Sequence, residues 1–197
     1  MDSPRPPDFS GFIAKISQEL QGRRLPFMLI GGQAVLLHGS PRLTEDIDIT
    51  LGADPSRLPE VLDLCVALEL RPLPEDVEGF VRQTFVLPVH HEASGIRVDF
   101  VFSTTAYEQQ AIGRATFVEL AGASVPFAAP EDLIIHKLFA GRARDLEDAA
   151  TVVRRKGREL DWDYLEKWVQ EFAPVPGRER LLEQLVELRR QAESGDV

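Results

Sequence analysis

Acidic and apolar residues alternate from Glu45 to Leu51, in the stretch EDIDITL. A period of two marks a β-strand with one buried face, and it leaves such a segment little choice of structure. Ile47 and Ile49 then turn toward a core, while Asp46 and Asp48 project together from the other face. Carboxylates are costly to desolvate, and two held side by side repel unless a cation lies between them. Magnesium takes oxygen ligands of this kind. In a chain with 32 acidic residues among 197, an Asp-x-Asp pair facing water is the ordinary alternative.

The residues around this strand narrow the reading. PFMLI, just upstream, reads as a short buried strand and runs into Gly31-Gly32. QAVLLHG follows as a short helix, stopped by Gly39 and Pro41. Glycine permits a sharp turn and close approach of a ligand, and a helix N-terminus presents unpaired N–H groups to an anion. Ser40, Arg42 and Thr44 follow the helix and add donors, with Arg42 suited to two-pronged phosphate contacts. A third carboxylate, Asp99, stands between Val98 and Phe100 in the strand-like GIRVDFVFS, on the side of Arg97 and Val101. If that strand lies beside the 46–51 strand, three carboxylates converge. Three can hold two magnesium ions about 4 Å apart, an arrangement used for in-line phosphoryl or nucleotidyl transfer.

The remaining segments set the architecture. FSGFIAKISQELQGR and SRLPEVLDLCVALEL have helical apolar spacing; TAYEQQAIGRA also reads as a helix. GFVRQTFVLPV reads as a strand, after a loop opened by Pro72 and Pro74. HHEASG, with His90 and His91, reads as the connection to the next strand and lacks zinc-site spacing. TFVEL and SVPFA form two short strands around a turn. From Pro130 onward PEDLIIHKLFAGR, DLEDAATVVRR, WDYLEKWVQEF and GRERLLEQLVELRRQ read as four helices. The expectation is an α+β fold, with a core over residues 1–128 and a C-terminal helical region over 129–197 packed on it. Residues 1–7, rich in proline, and the final ESGDV are expected to be disordered or frayed.

Taken in order, Gly31-Gly32, Arg42, Thr44, Asp46, Asp48 and Asp99 resemble the DNA polymerase β-like nucleotidyltransferase superfamily. Lys137, then Arg144-Asp145 and Asp148, in PEDLIIHKLFAGRARDLEDAATVV, resemble the tail of AbiEii/MenT-type nucleotidyltransferases, known mainly as toxins of toxin–antitoxin systems. The resemblance spans roughly residues 27 to 153. It implies a mixed twisted sheet flanked by helices and followed by a helical bundle. It also implies transfer of a nucleoside monophosphate from a nucleoside triphosphate to an acceptor hydroxyl, on RNA (a tRNA 3′ end) or protein, with a cognate antitoxin as partner.

By the same resemblance, Asp46, Asp48 and Asp99 hold two Mg2+ ions, for which Mn2+ substitutes, and Asp99 takes the hydroxyl proton. Gly31, Gly32, Ser40, Arg42, Thr44, Lys137, Arg144 and Asp148 serve the nucleotide. The family often has lysine where Arg144 stands, and arginine keeps the charge but not the geometry. Residue by residue, a surface lysine at 137 and an ordinary i,i+4 ion pair between Arg144 and Asp148 are the plain alternatives. A non-catalytic nucleotide- or partner-binding module and a metal-dependent phosphohydrolase are the competing functions.

Composition bounds the rest. A net charge of −10 argues against a broad phosphate-backbone footprint. The basic run Arg154–Arg158 is either a solvated helix face or a local anion patch. One cysteine, Cys65, excludes a disulfide framework and reads as a small buried residue. His38 reads as a packed or capping residue, and Trp162 and Trp168 as core. With no apolar run near the roughly 20 residues a membrane span needs and no signal peptide, the expected setting is the cytoplasm.

Overall fold

The computed structural model describes residues 8–194 of the chain. In chain order its elements are α1 (Phe9–Gly22), β1 (Phe27–Ile30), α2 (Gly31–His38), β2 (Asp46–Leu51), α3 (Leu58–Ala67), β3 (Leu70–Pro72), α4 (Val77–Thr84), β4 (Val86–His91), β5 (Ile96–Phe102), α5 (Ala106–Gly113), β6 (Thr116–Leu120), β7 (Ala123–Phe127), α6 (Pro130–Ala140), α7 (Ala143–Lys156), α8 (Trp162–Phe172) and α9 (Leu181–Ser194). The α+β class read from the sequence is the class observed. The expected disorder of residues 1–7, and fraying beyond Ser194, fall outside the described residues; Glu193 and Ser194 themselves belong to α9.

The chain divides into two compact units. One comprises Met1–Ile30 and Thr44–Phe127; the other comprises Gly31–Leu43 and Ala128–Val197. The second is therefore not a simple C-terminal appendage, because the short segment carrying α2 and Arg42 groups with it.

The first unit is built on a mixed seven-stranded sheet in the order β3-β4-β5-β2-β1-β7-β6. β2 runs parallel to β5 and antiparallel to β1, and β1 meets β7 in parallel at Leu29 and Phe127. One sheet face is apolar: Ile47, Ile49, Leu51, Val98, Phe100, Phe102, Leu87 and Val89 are all buried. α1 packs near β7, where Ser17 and Gln21 donate to the Ser124 carbonyl, and Phe12 of α1 stacks on the His91 ring.

Two local readings are corrected. The stretch beginning GFVRQT is helix α4, and the strand starts only at Val86. The Asp76 carboxylate accepts from the Gly79 N–H at 2.9 Å and starts the helix, Val81 buries its inward face, and Phe85, in the left-handed region at φ 59°, ends it. His90 and His91 belong to β4 and pair with Arg97 and Ile96, so the turn is only four residues, Glu92–Gly95. Pro72 ends an edge strand, a position where its missing N–H is tolerated.

The second unit packs α6 with α7 and α8, α7 with α9, and α8 with α9, and α2 packs on α6 and α7. The four C-terminal helices read from the sequence are all present. Tyr164, Trp168 and Phe172 form an aromatic ladder on α8, and the Tyr164 hydroxyl donates to Asp132 at 2.7 Å. Trp162 donates from its indole to the Gly157 carbonyl at 3.2 Å. Both tryptophans are half-buried, so neither belongs to the core that the sequence suggested. Among the described residues no helix is long and apolar enough to cross a membrane.

Candidate active site

In the first unit, the alternation along β2 works as its sequence requires. Ile47 and Ile49 are buried, Asp46 is exposed and Asp48 is half-buried. The pairing of β2 with β5 brings in the third acid: Asp48 is the register partner of Asp99, and Asp46 that of Arg97. Residues paired across neighbouring strands project to the same side, so Asp46, Asp48, Asp99 and Arg97 share one sheet face. Thr44, just before β2, donates its hydroxyl to the Asp46 carbonyl at 3.4 Å.

Asp99 is engaged by Arg97 in two hydrogen bonds, Nε to Oδ1 at 2.9 Å and Nη2 to Oδ2 at 3.1 Å. The hydrogen bond to Asp99 raises the Arg97 pKa above its ordinary value, and the charges of Asp99, Asp46 and Asp48 add to it. Among the described residues, no three acidic, histidine or cysteine side chains gather closely enough to cage an ion. The donor chemistry nevertheless fits a hard divalent cation, since all three groups offer carboxylate oxygens from one face.

In the second unit, α2 begins at Gly31, whose φ of 62° lies in the left-handed region that glycine adopts without strain. Gly32 is buried in its first turn. The far end of α2 is fastened to its own unit. The His38 ring meets the Ala128 carbonyl at 2.9 Å, and burial lowers its pKa despite that bond. Ser40 donates its N–H to the Thr151 hydroxyl at 3.3 Å, and Arg155 donates to the Gly39 carbonyl at 2.9 Å.

This fastening leads to a charged cluster. Arg42 grips Asp148 with two hydrogen bonds, and Lys137 lies 2.9 Å from both Asp145 and Asp148. The Lys137, Asp145 and Asp148 side chains are only 8%, 3% and 5% exposed. Burial pushes the Asp145 pKa up, but hydrogen bonds from Arg142 and Lys137 outweigh it and hold the carboxyl below its ordinary value. Lys137 is thus a buried, doubly paired cation and not a surface lysine. The break at Gly141, in the left-handed region at φ 69°, folds α7 back so that residues eleven apart in sequence meet.

The Arg144–Asp148 ion pair, the plain alternative to a functional role, does not form. Asp148 is taken by Arg42 and Lys137, and exposed Arg144 donates to the Leu43 carbonyl at 3.2 Å. Asp145 and Arg97 are the residues the sequence reading left out of the site. Asp145 had a signal: Asp145, Asp148, Ala149, Val152 and Val153 form the buried stripe of α7, and an acid on such a stripe needs a cation. In the basic run, Arg155 serves Gly39 and Lys156 pairs with Glu159 at 2.8 Å. Cys65 is buried, with its thiol pKa pushed up to about 12 by burial.

Solved structures share this fold. An antigenic nucleotidyltransferase-like protein from Paracoccidioides brasiliensis matches with a TM-score of 0.56 at 15% identity, over 94% of this chain and 90% of that one. The antibiotic-resistance factor ANT(2″)-Ia in solution matches with a TM-score of 0.53 at 17% identity, over 94% and 91%. Lincomycin-bound lincosamide antibiotic adenylyltransferase LnuA matches with a TM-score of 0.52 at 14% identity, over 76% and 98%. At these identities the likeness shows the fold alone. No curated protein matches the chain. The family model "Nucleotidyl transferase AbiEii toxin, Type IV TA system" matches residues 17–196, and the chain belongs to that family of nucleotidyltransferase enzymes.

Proposed function

We propose that this enzyme moves a nucleoside monophosphate from a nucleoside triphosphate to an acceptor hydroxyl on RNA, with a tRNA 3′ end as the first candidate and protein as the second. The acceptor oxygen attacks the α-phosphorus, the bond to the β-phosphate oxygen breaks, and pyrophosphate leaves with that bond's electron pair. Asp99 takes the hydroxyl proton. Asp46, Asp48 and Asp99 form the set that would hold Mg2+, or Mn2+ in its place. Bound there, divalent ions supply positive charge that lowers the hydroxyl pKa and offsets charge gathering on the phosphoryl oxygens. The observation that carries this reading is the register of Asp48 with Asp99, which gives one sheet face three carboxylates.

The second unit carries most of the groups read as suited to a nucleotide's phosphates. Gly31 and Gly32 open a helix whose first N–H groups suit a phosphate. Ser40 adds a donor, Thr44 of the first unit adds another, and Arg42 and Arg144 add cations. Asp148 orients Arg42 by its two-pronged contact, and Lys137 neutralises the negative charge that Asp148 and Asp145 carry into the interior. Membership of the toxin family supports a role against the cell's own RNA, held in check by a cognate antitoxin, in the cytoplasm.

The test is direct. The protein is incubated with each radiolabelled nucleoside triphosphate, magnesium, and either total RNA or lysate protein. Label should appear on a macromolecule and vanish with Asp48→Ala. Release of free phosphate without transfer would make the protein a phosphohydrolase, and tight nucleotide binding without turnover would make it a binding module.

A further inference from the structure

We infer that α7 is a template for the segment Gly39–Leu43, with Thr151 and Arg155 as positioning residues that order this segment before a polyphosphate binds. The inference rests on the reading of Ser40 and Arg42 as phosphate-contacting groups.

The segment follows α2 and belongs to no helix or strand, so no regular ladder fixes its backbone. Contacts from α7 fix it instead, and both lie in the second unit. The Leu43 carbonyl accepts from Arg144 at 3.2 Å, and Arg42 grips Asp148 at 2.8 and 3.0 Å. The Ser40 N–H donates to the Thr151 hydroxyl at 3.3 Å, and the Gly39 carbonyl accepts from Arg155 at 2.9 Å. Residues 144, 148, 151 and 155 recur at the three- and four-residue spacing that puts them on one face of a helix. They meet residues 43, 42, 40 and 39 in reverse order, so the segment lies antiparallel along α7. The approach is close: a Cβ on Gly39 would come within 2.5 Å of the Thr151 hydroxyl.

These contacts sort the segment's polar groups. Of the five N–H groups of Arg42, two donate to Asp148 and one to the Leu43 carbonyl. The other two, and the hydroxyl of exposed Ser40, have no partner among the described residues. They are donors carried on an anchored backbone, and phosphate oxygens accept from such groups. Thr151 carries no charge, and its hydroxyl is engaged by Ser40 and by the Asp148 carbonyl, so it serves a bound anion through the segment. Arg155 ties the segment where it leaves α2. A loop ordered in advance loses less affinity to ordering when its ligand arrives.

Tripolyphosphate with magnesium, titrated into the intact chain by calorimetry, probes the segment whichever base the nucleotide carries. Thr151→Val should weaken binding about three- to tenfold, the scale of one lost hydrogen bond, and Thr151→Ser should restore it. In a Ser40→Ala background, adding Thr151→Val should weaken binding less than it does alone, since the two residues act through one contact. Arg155→Met breaks the other anchor and should also weaken binding, which keeps the inference testable where Thr151→Val does not fold. Unchanged affinity in Thr151→Val or, failing that variant, in Arg155→Met overturns the inference. So do equal losses from Thr151→Val with and without the Ser40 hydroxyl. Failure of the underlying reading looks different: Ser40→Ala and Arg42→Gln would then both leave tripolyphosphate affinity unchanged, and the inference falls with it.

Discussion

Arg42 and Asp148, 106 positions apart, are joined by two hydrogen bonds, Nε to Oδ1 at 2.8 Å and Nη2 to Oδ2 at 3.0 Å. The same carboxylate takes the Lys137 ammonium at 2.9 Å, so one buried acid orders two cations from different segments. Asp148→Ala leaves both without it in a largely dry interior. Breaking a buried pair from one side costs about 3–5 kcal/mol, and urea unfolding should register a loss of that size. Lys137→Met should cost markedly less, about 1–2 kcal/mol, because Arg42 stays with Asp148 and Arg142 with Asp145. Equal losses for the two variants would count against this division of labour.

His38 makes stability depend on pH in a definite direction. Its folded pKa is lowered from 6.5, chiefly by burial, so the unfolded chain binds a proton more readily. The contribution of the neutral ring is complete above the unfolded pKa and is lost as pH falls from about 6.5 through the lowered folded value. Urea midpoints measured between pH 7.5 and 5 should therefore decline, and the decline should be shallower in His38→Gln.

Gly39 sits where α2 closes on α7. A Cβ there would lie 2.5 Å from the Thr151 hydroxyl and 3.2 Å from Val152 Cγ2. That hydroxyl cannot simply swing away, because it accepts from Ser40 and donates to the Asp148 carbonyl. Gly39→Ala should lower stability by about 1–3 kcal/mol through overpacking. Combining it with Thr151→Ala should cost less than the two separate losses together, since the residues touch. Thermal melts of the four proteins measure this.

Thr50, two residues beyond Asp48 on the same sheet face, is 1% exposed, and its hydroxyl has no hydrogen-bond partner among the described residues. Thr50→Val keeps the shape and removes a buried unsatisfied group. It should raise stability by about 1 kcal/mol, seen as a higher denaturant midpoint with an unchanged slope.

Much of the fold was legible because its elements carry strong local periods. The apolar spacing of α1, the β2 alternation and the breaks between the C-terminal helices all gave the right element. The error over α4 arose where local cues conflict: FVRQTFV is rich in β-forming residues, and a capping carboxylate at Asp76 together with the burial of Val81 decided for helix. At the charged cluster, Lys137, Arg144 and Asp148 were all singled out, but the only pairing on offer for Asp148 was the i,i+4 one with Arg144, because that is the only contact that one helix announces.

Side-chain direction along a strand follows from the backbone's own period, so the sequence alone determined that Asp46 and Asp48 face one way and Ile47 and Ile49 the other. Tertiary structure decided which acid stands beside Asp48, which cation grips Asp99, and that Arg42 reaches Asp148. Those outcomes depend on strand register and on helices meeting across a hundred residues, and a pattern repeating every two or four residues carries no information about them.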